Sequence, residues 1–151
     1  MTIRPARPED LPALAALCAA HAAYERAPAV PVDLAARLSM ALFAEPARLW
    51  CLVAVDDDGQ NLIGYATLTV DFATWRGRSF GHLDCLYVAS ARRGSGVGRR
   101  LFTEVARLAR VKGVDELQWQ TPSWNTDAIR FYQRVGATSS TKLRYTLDLA
   151  T

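Results

Sequence analysis

Two stretches of this chain carry residue types and spacings that could do chemistry. The first is Arg93-Gly94-Ser95-Gly96-Val97-Gly98-Arg99-Arg100. It follows an apolar run, Leu83–Val88, that reads as a strand. It precedes Leu101, Val105, Leu108 and Val111, whose spacing reads as a helix. Glycines at such a junction leave backbone N–H groups uncovered at the positive end of the helix dipole, a place where a phosphate or pyrophosphate can sit. Arg92, Arg93, Arg99 and Arg100 add positive charge on both sides. The spacing separates several chemistries. A nucleotide-hydrolysing P-loop needs Lys-Ser or Lys-Thr after its last glycine, and none follows here. A dinucleotide fingerprint needs Gly-x-Gly-x-x-Gly, whereas Gly94, Gly96 and Gly98 give Gly-x-Gly-x-Gly with no βαβ repeat around it. A plain glycine-rich turn before a helix is the alternative.

The second stretch is Trp124-Asn125-Thr126-Asp127-Ala128-Ile129-Arg130-Phe131-Tyr132, followed by Gly136-Ala137. Asn125 suits an N-cap and Asp127 suits the first turn of a helix. Ala128 and Tyr132 are four apart and share one helix face. A small residue there lets a ligand pass close, and the Tyr132 hydroxyl points along the same groove. The competing reading is a capped helix with Phe131 and Tyr132 as an aromatic core stripe.

The elements that must position these residues can be read along the chain. Thr2–Ala6 reads as a first strand. A helix with acids in its first turn starts at Pro8-Glu9-Asp10 and runs to about Tyr24, burying Leu11, Leu14, Leu17 and Cys18. Asp33 could cap a second helix through Leu34, Leu38 and Leu42, ending before Pro46. Leu49–Val55 and Asn61–Phe72 read as a hairpin around Asp56–Gly59, and Ser79–Val88 as a fourth strand. The helix after the glycine loop stops at Lys112-Gly113. Val114–Thr121 is expected as a fifth strand, Asn125–Val135 as a helix closed by Gly136, and Leu143–Leu149 as a last strand. The order β-α-α-β-β-β-α-β-α-β makes one α/β domain over residues 1–151, built around one sheet.

Composition bounds the function. The chain has 151 residues, half of them hydrophobic, and a net charge of +3, which suits one soluble domain with a full core. The mild basicity fits an anionic ligand, and no Lys/Arg run is long enough to favour nucleic acid. Cys18, Cys51 and Cys85 are odd in number and lack Cys-x-x-Cys spacing, so neither a zinc site nor a disulfide framework is expected. With no apolar leader and no membrane-length apolar run, a reduced cytoplasmic setting without membrane partners is expected.

Arg-x-x-Gly-x-Gly from Arg93 to Gly98, followed about thirty residues later by Asn-x-x-Ala-x-x-x-Tyr and Gly-Ala, resembles the GNAT N-acetyltransferases over their cofactor half. Tyr24-Glu25, Trp75-Arg76-Gly77-Arg78, Leu83-Asp84, the glycine loop, Trp124-Asn125 and Phe131-Tyr132-x-Arg134 occur in an order similar to the spermidine/spermine (diamine and thialysine) acetyltransferase branch. The resemblance spans about residues 2–149. It implies a GNAT fold: a mixed, mostly antiparallel central sheet flanked by helices, with a splay between the fourth and fifth strands that holds acetyl-CoA. It implies that the backbone of Leu86, Tyr87 and Val88 pairs with the pantetheine arm. The amides of Arg93, Gly94, Ser95, Gly96, Val97, Gly98 and Arg99 would hold the pyrophosphate, and Asn125, Thr126, Asp127 and Ala128 would contact the arm. Tyr132 is the expected general acid for the departing thiolate.

The acceptor side needs the opposite help. An alkylamine of pKa ~10.4 is mostly protonated at pH 7, and freeing it costs roughly 4–5 kcal/mol. The resemblance places Asp84 where relatives carry an acidic residue. As Asp is shorter than their Glu, a water relay fits better than direct abstraction, and a structural carboxylate paired with an Arg is the alternative. Glu25 matches an acidic substrate-side residue, beside Arg26, Ala27 and Pro28 where relatives are more acidic. Its alternative is a solvated helix-end charge. Tyr24, Trp75, Trp119 and Gln120 are the further candidates for lining the substrate site, though Trp75 could simply pack. The implied reaction is direct acetyl transfer to a primary amine of a small molecule (diamine, polyamine or thialysine-like amino acid), without a metal, in a homodimer that uses the last strand or neighbouring helices. Rival readings are an aminoglycoside-type or protein amine as acceptor, or a CoA-binding module without catalysis.

Other tempting residues read as structural. Cys85 is expected in the core. His21 and His82 lack a paired carboxylate or second ligand at metal spacing and are expected to be satisfied structural histidines. Asp56-Asp57-Asp58-Gly59 lacks the later Glu of a calcium loop and is expected to be a hairpin turn.

Overall fold

The computed structural model describes residues 1–150, which divide into two units, Met1–Gln120 and the chain from Thr121 onward. The first unit is organised by one sheet whose strands lie in chain order: β1 (Thr2–Pro5), β2 (Trp50–Val55), β3 (Leu62–Ala73), β4 (Arg78–Val88) and β5 (Leu117–Gln118). The first four pair antiparallel and β5 joins β4 in parallel. The helices are α1 (Leu11–Tyr24), α2 (Leu34–Phe43) and α3 (Val97–Val111). The second unit contains α4 (Thr126–Arg134).

Strand alternation sorts the core into two layers. Leu52, Ala54, Ala66, Leu68 and Leu83 meet Val97, Leu101, Val105 and Ala109, which recur every four residues along α3. On the opposite face Cys51, Val53, Val55, Tyr65 and Tyr87 meet Leu14, with Leu17, Cys18, Leu38 and Leu42 packed around them from α1 and α2. Each such Leu or Val side chain taken fully out of water stabilises the fold by about 1.5–3 kcal/mol.

The ends of the elements have local causes. Pro8–Asp10 form a 3-10 turn leading into α1, and the buried Asp10 carboxylate accepts from Arg4 Nη1 and Nη2, at 2.6 and 2.9 Å, and from the Arg7 amide at 2.7 Å. The Arg4 hydrogen bond holds Asp10 below the ordinary carboxylate range despite its burial. In the expected turn at Asp56–Gly59, Asp56 accepts from the amides of Gln60 and Asn61 and from the Asn61 side chain. Asp33 stands at the N-cap of α2 but gives its carboxylate to Arg37, 2.8 Å away, instead of to the helix backbone.

Two expected strands differ from what forms. The fifth is two residues long, because only Leu117 and Gln118 find partners, Gly81 and His82; Val114 instead closes the end of α3 through its amide to the Ala109 carbonyl. Leu143–Leu149 forms no strand. Its apolar alternation is real, but a strand needs a neighbour to accept its backbone hydrogen bonds, and it has none among the described residues. Leu143, Tyr145, Leu147 and Leu149 are consequently all more than three-quarters exposed.

Candidate functional site

Two features of β4 create a site in the first unit. Pairing with β5 ends at His82 while β4 continues to Val88, so the edge from Leu83 onward carries no strand among the described residues. Against β3, Thr67 faces Cys85 and Leu68 faces Leu83, which makes Asp84 the extra residue of a β-bulge. A bulge re-aims its side chain, and Asp84 is exposed between buried Leu83 and half-buried Cys85. Burial pushes the Cys85 thiol up to about 12, with the Asp84 charge adding to the effect. The thiol therefore stays protonated and donates toward the Asp84 carboxylate at 3.7 Å. Cys85 packs against the α1-side core, as expected.

The glycine loop follows a short 3-10 turn, Ser90–Arg92. Gly94 (φ +78°) and Gly96 (φ +84°) occupy the left-handed region, and a Cβ on either would meet nothing within 4 Å. Glycine is needed there for the backbone turn, and the turn leaves open space beside the amides. Gly96 is the N-cap of α3 and supplies no side-chain cap. The first intrahelical bond of the helix runs from the Arg100 amide to the Gly96 carbonyl, 3.1 Å, so the amides of Val97, Gly98 and Arg99 precede it. Ser95 Oγ ties the loop to the Arg92 carbonyl at 2.6 Å. The Arg93 side chain turns elsewhere. Its Nε donates to the Val88 carbonyl at 3.0 Å, and its guanidinium lies 4.2 Å from the Tyr24 ring centre and 5.4 Å from that of Tyr87. Arg93 thus fastens the loop to β4 and to the end of α1, and its contribution to an anion cradle is its backbone.

The end of α1 brings Tyr24 and Glu25 to the same neighbourhood. The Arg26 amide bonds the Ala23 carbonyl and the Ala27 amide bonds the Ala22 carbonyl, a Schellman closure with Arg26 at φ +59°. This position usually takes glycine, as Gly113 and Gly136 do after α3 and α4. Glu25, just before it, accepts from His21 Nε2 at 3.3 Å. His21 Nδ1 is 2.9 Å from the Tyr65 hydroxyl, and its ring stacks on Tyr87 with centres 4.9 Å apart. The expectation that His21 has no paired carboxylate is therefore wrong. The i,i+4 spacing of His21 and Glu25 on one helix face was the available signal.

Other candidates lie as follows. Trp75 is fully exposed and packs against none of the described residues. Trp119 leans on the α3-side core, edge-on to Phe102 at 5.4 Å. Gln120 is exposed. Arg76 and Arg78 pair with Glu116, on the side of β4 where β5 begins. No group of three or more His, Cys, Asp or Glu side chains among the described residues could hold a metal ion.

In the second unit Asn125 is buried and caps α4, its Oδ1 accepting from the Ala128 amide at 3.2 Å. That capping bond leaves the Asn125 side chain engaged with its own helix. Tyr132 is partly buried on the same helix, with its ring against Phe131 at 5.3 Å. Gly136 closes α4 in the same manner as Gly113 closes α3.

Comparison with known proteins places the sequence and the fold in a family. A model of the acetyltransferase (GNAT) family matches residues 14–137. The thialysine N-epsilon-acetyltransferase of Bos taurus is 31% identical over 106 residues, covering 66% of this chain and 62% of that protein. The protein of the same description from Caenorhabditis elegans is 37% identical over 84 residues, covering 56% of this chain and 49% of its own length. The chain thus spans under two thirds of the curated relatives it matches. An aminoglycoside acetyltransferase from an uncultured soil metagenomic sample has the same fold, with a TM-score of 0.79, 18% identity, and 99% and 96% of the two chains covered.

Proposed function

This chain belongs to the acetyltransferase (GNAT) family, and on that premise we propose that it transfers an acetyl group from acetyl-CoA directly to a primary amine of a small molecule. The observation that carries the reading is the junction of β4 and α3: a strand edge without a partner strand beyond His82, leading into glycine turns and an uncapped helix N-terminus. A pantetheine arm carries amide groups that suit such an edge, and a pyrophosphate suits such a helix end. Acetyl-CoA would supply the acetyl group as an activated thioester. The backbone of Leu86, Tyr87 and Val88 would take the arm, and the amides from Gly94 to Arg99 the pyrophosphate. Asn125, Thr126, Asp127 and Ala128 would meet the arm from their own unit.

The chain's own groups divide the proton work. Asp84, exposed on its bulge, and Glu25 hold the substrate ammonium, and Asp84 passes its proton on through water. Tyr24, Trp75, Trp119 and Gln120 complete the acceptor site. The Tyr132 hydroxyl gives a proton to the departing thiolate. Most of the rate comes from orientation and from backbone amides facing the thioester oxygen. The similarity to thialysine acetyltransferases favours a thialysine-like amino acid, a diamine or a polyamine as acceptor. The whole chain acts as one acetyltransferase domain in the cytoplasm, where its three thiols stay unpaired, and it works as a homodimer. None of the helices among the described residues is long and apolar enough to cross a membrane. Incubation with acetyl-CoA and thialysine, read by mass spectrometry, yields the N-acetylated amine on this reading. Tight acetyl-CoA binding without acetylation of any amine would leave a CoA-binding module instead.

A further inference from the structure

His21 is a titratable side chain at the centre of the amine side that the mechanism above does not use. Its side chain is 13% exposed and lies between three elements. From α1 come Cys18, Tyr24 and Glu25; from β3 comes Tyr65; from β4 come Asp84, Cys85 and Tyr87; Arg93 closes the group from the glycine loop. The hydrogen-bond partners limit where its proton can sit. A carboxylate only accepts, so the bond to Glu25 requires a proton on Nε2. In a neutral ring Nδ1 is then an acceptor, so the Tyr65 hydroxyl must donate to it. Tyr65 is 1% exposed and its ionisation is strongly suppressed by burial, so that donor is permanent. Stacking on Tyr87 fixes the plane of the ring.

We propose that His21 is a positioning residue of the amine site: held as the Nε2–H tautomer by the buried Tyr65 hydroxyl, it aims the Glu25 carboxylate at the substrate ammonium. The proposal rests on the amine-acetyltransferase reading and adds a residue to it. Glu25 sits one residue before a left-handed Arg26, at a helix end whose last turn is closed by backbone bonds. Its side chain is 35% exposed, and His21 is the ring that restrains it. Burial lowers the imidazole's affinity for a proton more than the facing carboxylates of Glu25 and Asp84 raise it, and Arg93 opposes protonation too. The ring is therefore neutral at the pH where an amine acceptor is used.

Two readouts test this. Nitrogen-15 NMR of the ligand-free protein at pH 7.5 reads the tautomer directly. An unprotonated Nδ1 with a protonated Nε2 is expected, and the reverse tautomer or an imidazolium overturns the proposal whatever the protein catalyses. Steady-state kinetics then separate amine from acetyl-CoA. His21→Leu raises the amine KM by about tenfold, the effect of losing one charge-assisted hydrogen bond, with the acetyl-CoA KM unchanged as a measure of correct folding. His21→Gln, which keeps an N–H toward Glu25, recovers most of that loss. Burial places the ring's protonation below the ordinary imidazole range, so the wild-type amine KM rises only once the pH falls past that range, and the Gln variant lacks that component. An amine KM unaltered in His21→Leu, or a Gln variant as impaired as Leu, contradicts the proposal. A wild type that acetylates no amine would instead contradict the function on which it rests.

Discussion

At the scale of single residues, the account depends on Tyr132 and Gly96. The Tyr132 hydroxyl is assigned to the departing thiolate, so Tyr132→Phe should lower kcat by about 10²-fold or more while acetyl-CoA affinity changes little. Calorimetry and steady-state rates on the same preparation check both halves, and unchanged turnover removes the acid role. Gly96 holds φ +84° beside open space. Gly96→Val would strain the backbone and put two methyl groups in the space proposed for the pyrophosphate, so acetyl-CoA binding should fall by at least tenfold. Normal affinity would contradict the loop assignment. The glycine turn before α3 was legible because glycines between a strand and a helix carry that signal, whereas the roles proposed for Asp84 and Tyr132 come from the family resemblance. The bulge that exposes Asp84 was not, since it exists only in the register of β4 against β3. The partner of His21 Nδ1 is Tyr65, 44 residues away, and no local pattern encodes that contact.

At the scale of elements, helix ends provide two further tests. Among the described residues three helices close with the same pair of backbone bonds, and of these α1 alone does so with a side-chain-bearing residue in the left-handed position. Arg26→Gly should stabilise the protein by roughly 0.5–1 kcal/mol by relieving that conformation, measured by urea unfolding; a loss of stability would mean the Arg26 side chain contributes more than its backbone costs. At the other end of α1, Asp10 is held ionised by Arg4. Its folded pKa is depressed, so its contribution is present above the ordinary carboxylate range and is lost as pH falls through the folded value. Asp10→Asn should cost roughly 1.5–3 kcal/mol at pH 7, and the gap to wild type should close in acid. A gap independent of pH would assign the effect to packing. The hairpin of β2 and β3 and the three longer helices of the first unit were readable from apolar period and turn residues. The short β5 was not: Val114–Thr121 has strand-like composition, but pairing depends on which residues of β4 it reaches.

At the scale of the whole molecule, Leu143, Tyr145, Leu147 and Leu149 alternate like a strand yet stand exposed. Four large apolar side chains in a row are an unfavourable surface for a lone chain in water. They support the proposed homodimer, in which a second copy covers them. Light scattering behind size exclusion at micromolar concentration should give a dimer, and Leu147→Glu should shift it toward monomer. A monomeric wild type would remove the dimer from the account. This segment also marks the limit of sequence reading: the alternation is written in the chain, but the neighbour that would make it a strand is not.

The central claim is amine acetylation, and the most direct measurement is release of the CoA thiol from acetyl-CoA against thialysine, lysine, putrescine, spermidine, an aminoglycoside and a basic peptide. The account predicts amine-dependent release, with thialysine or another small amine preferred over the aminoglycoside and the peptide. Preference for either of those would overturn the acceptor class. No release with any of the six, from protein that still binds acetyl-CoA, would contradict the claim of catalysis.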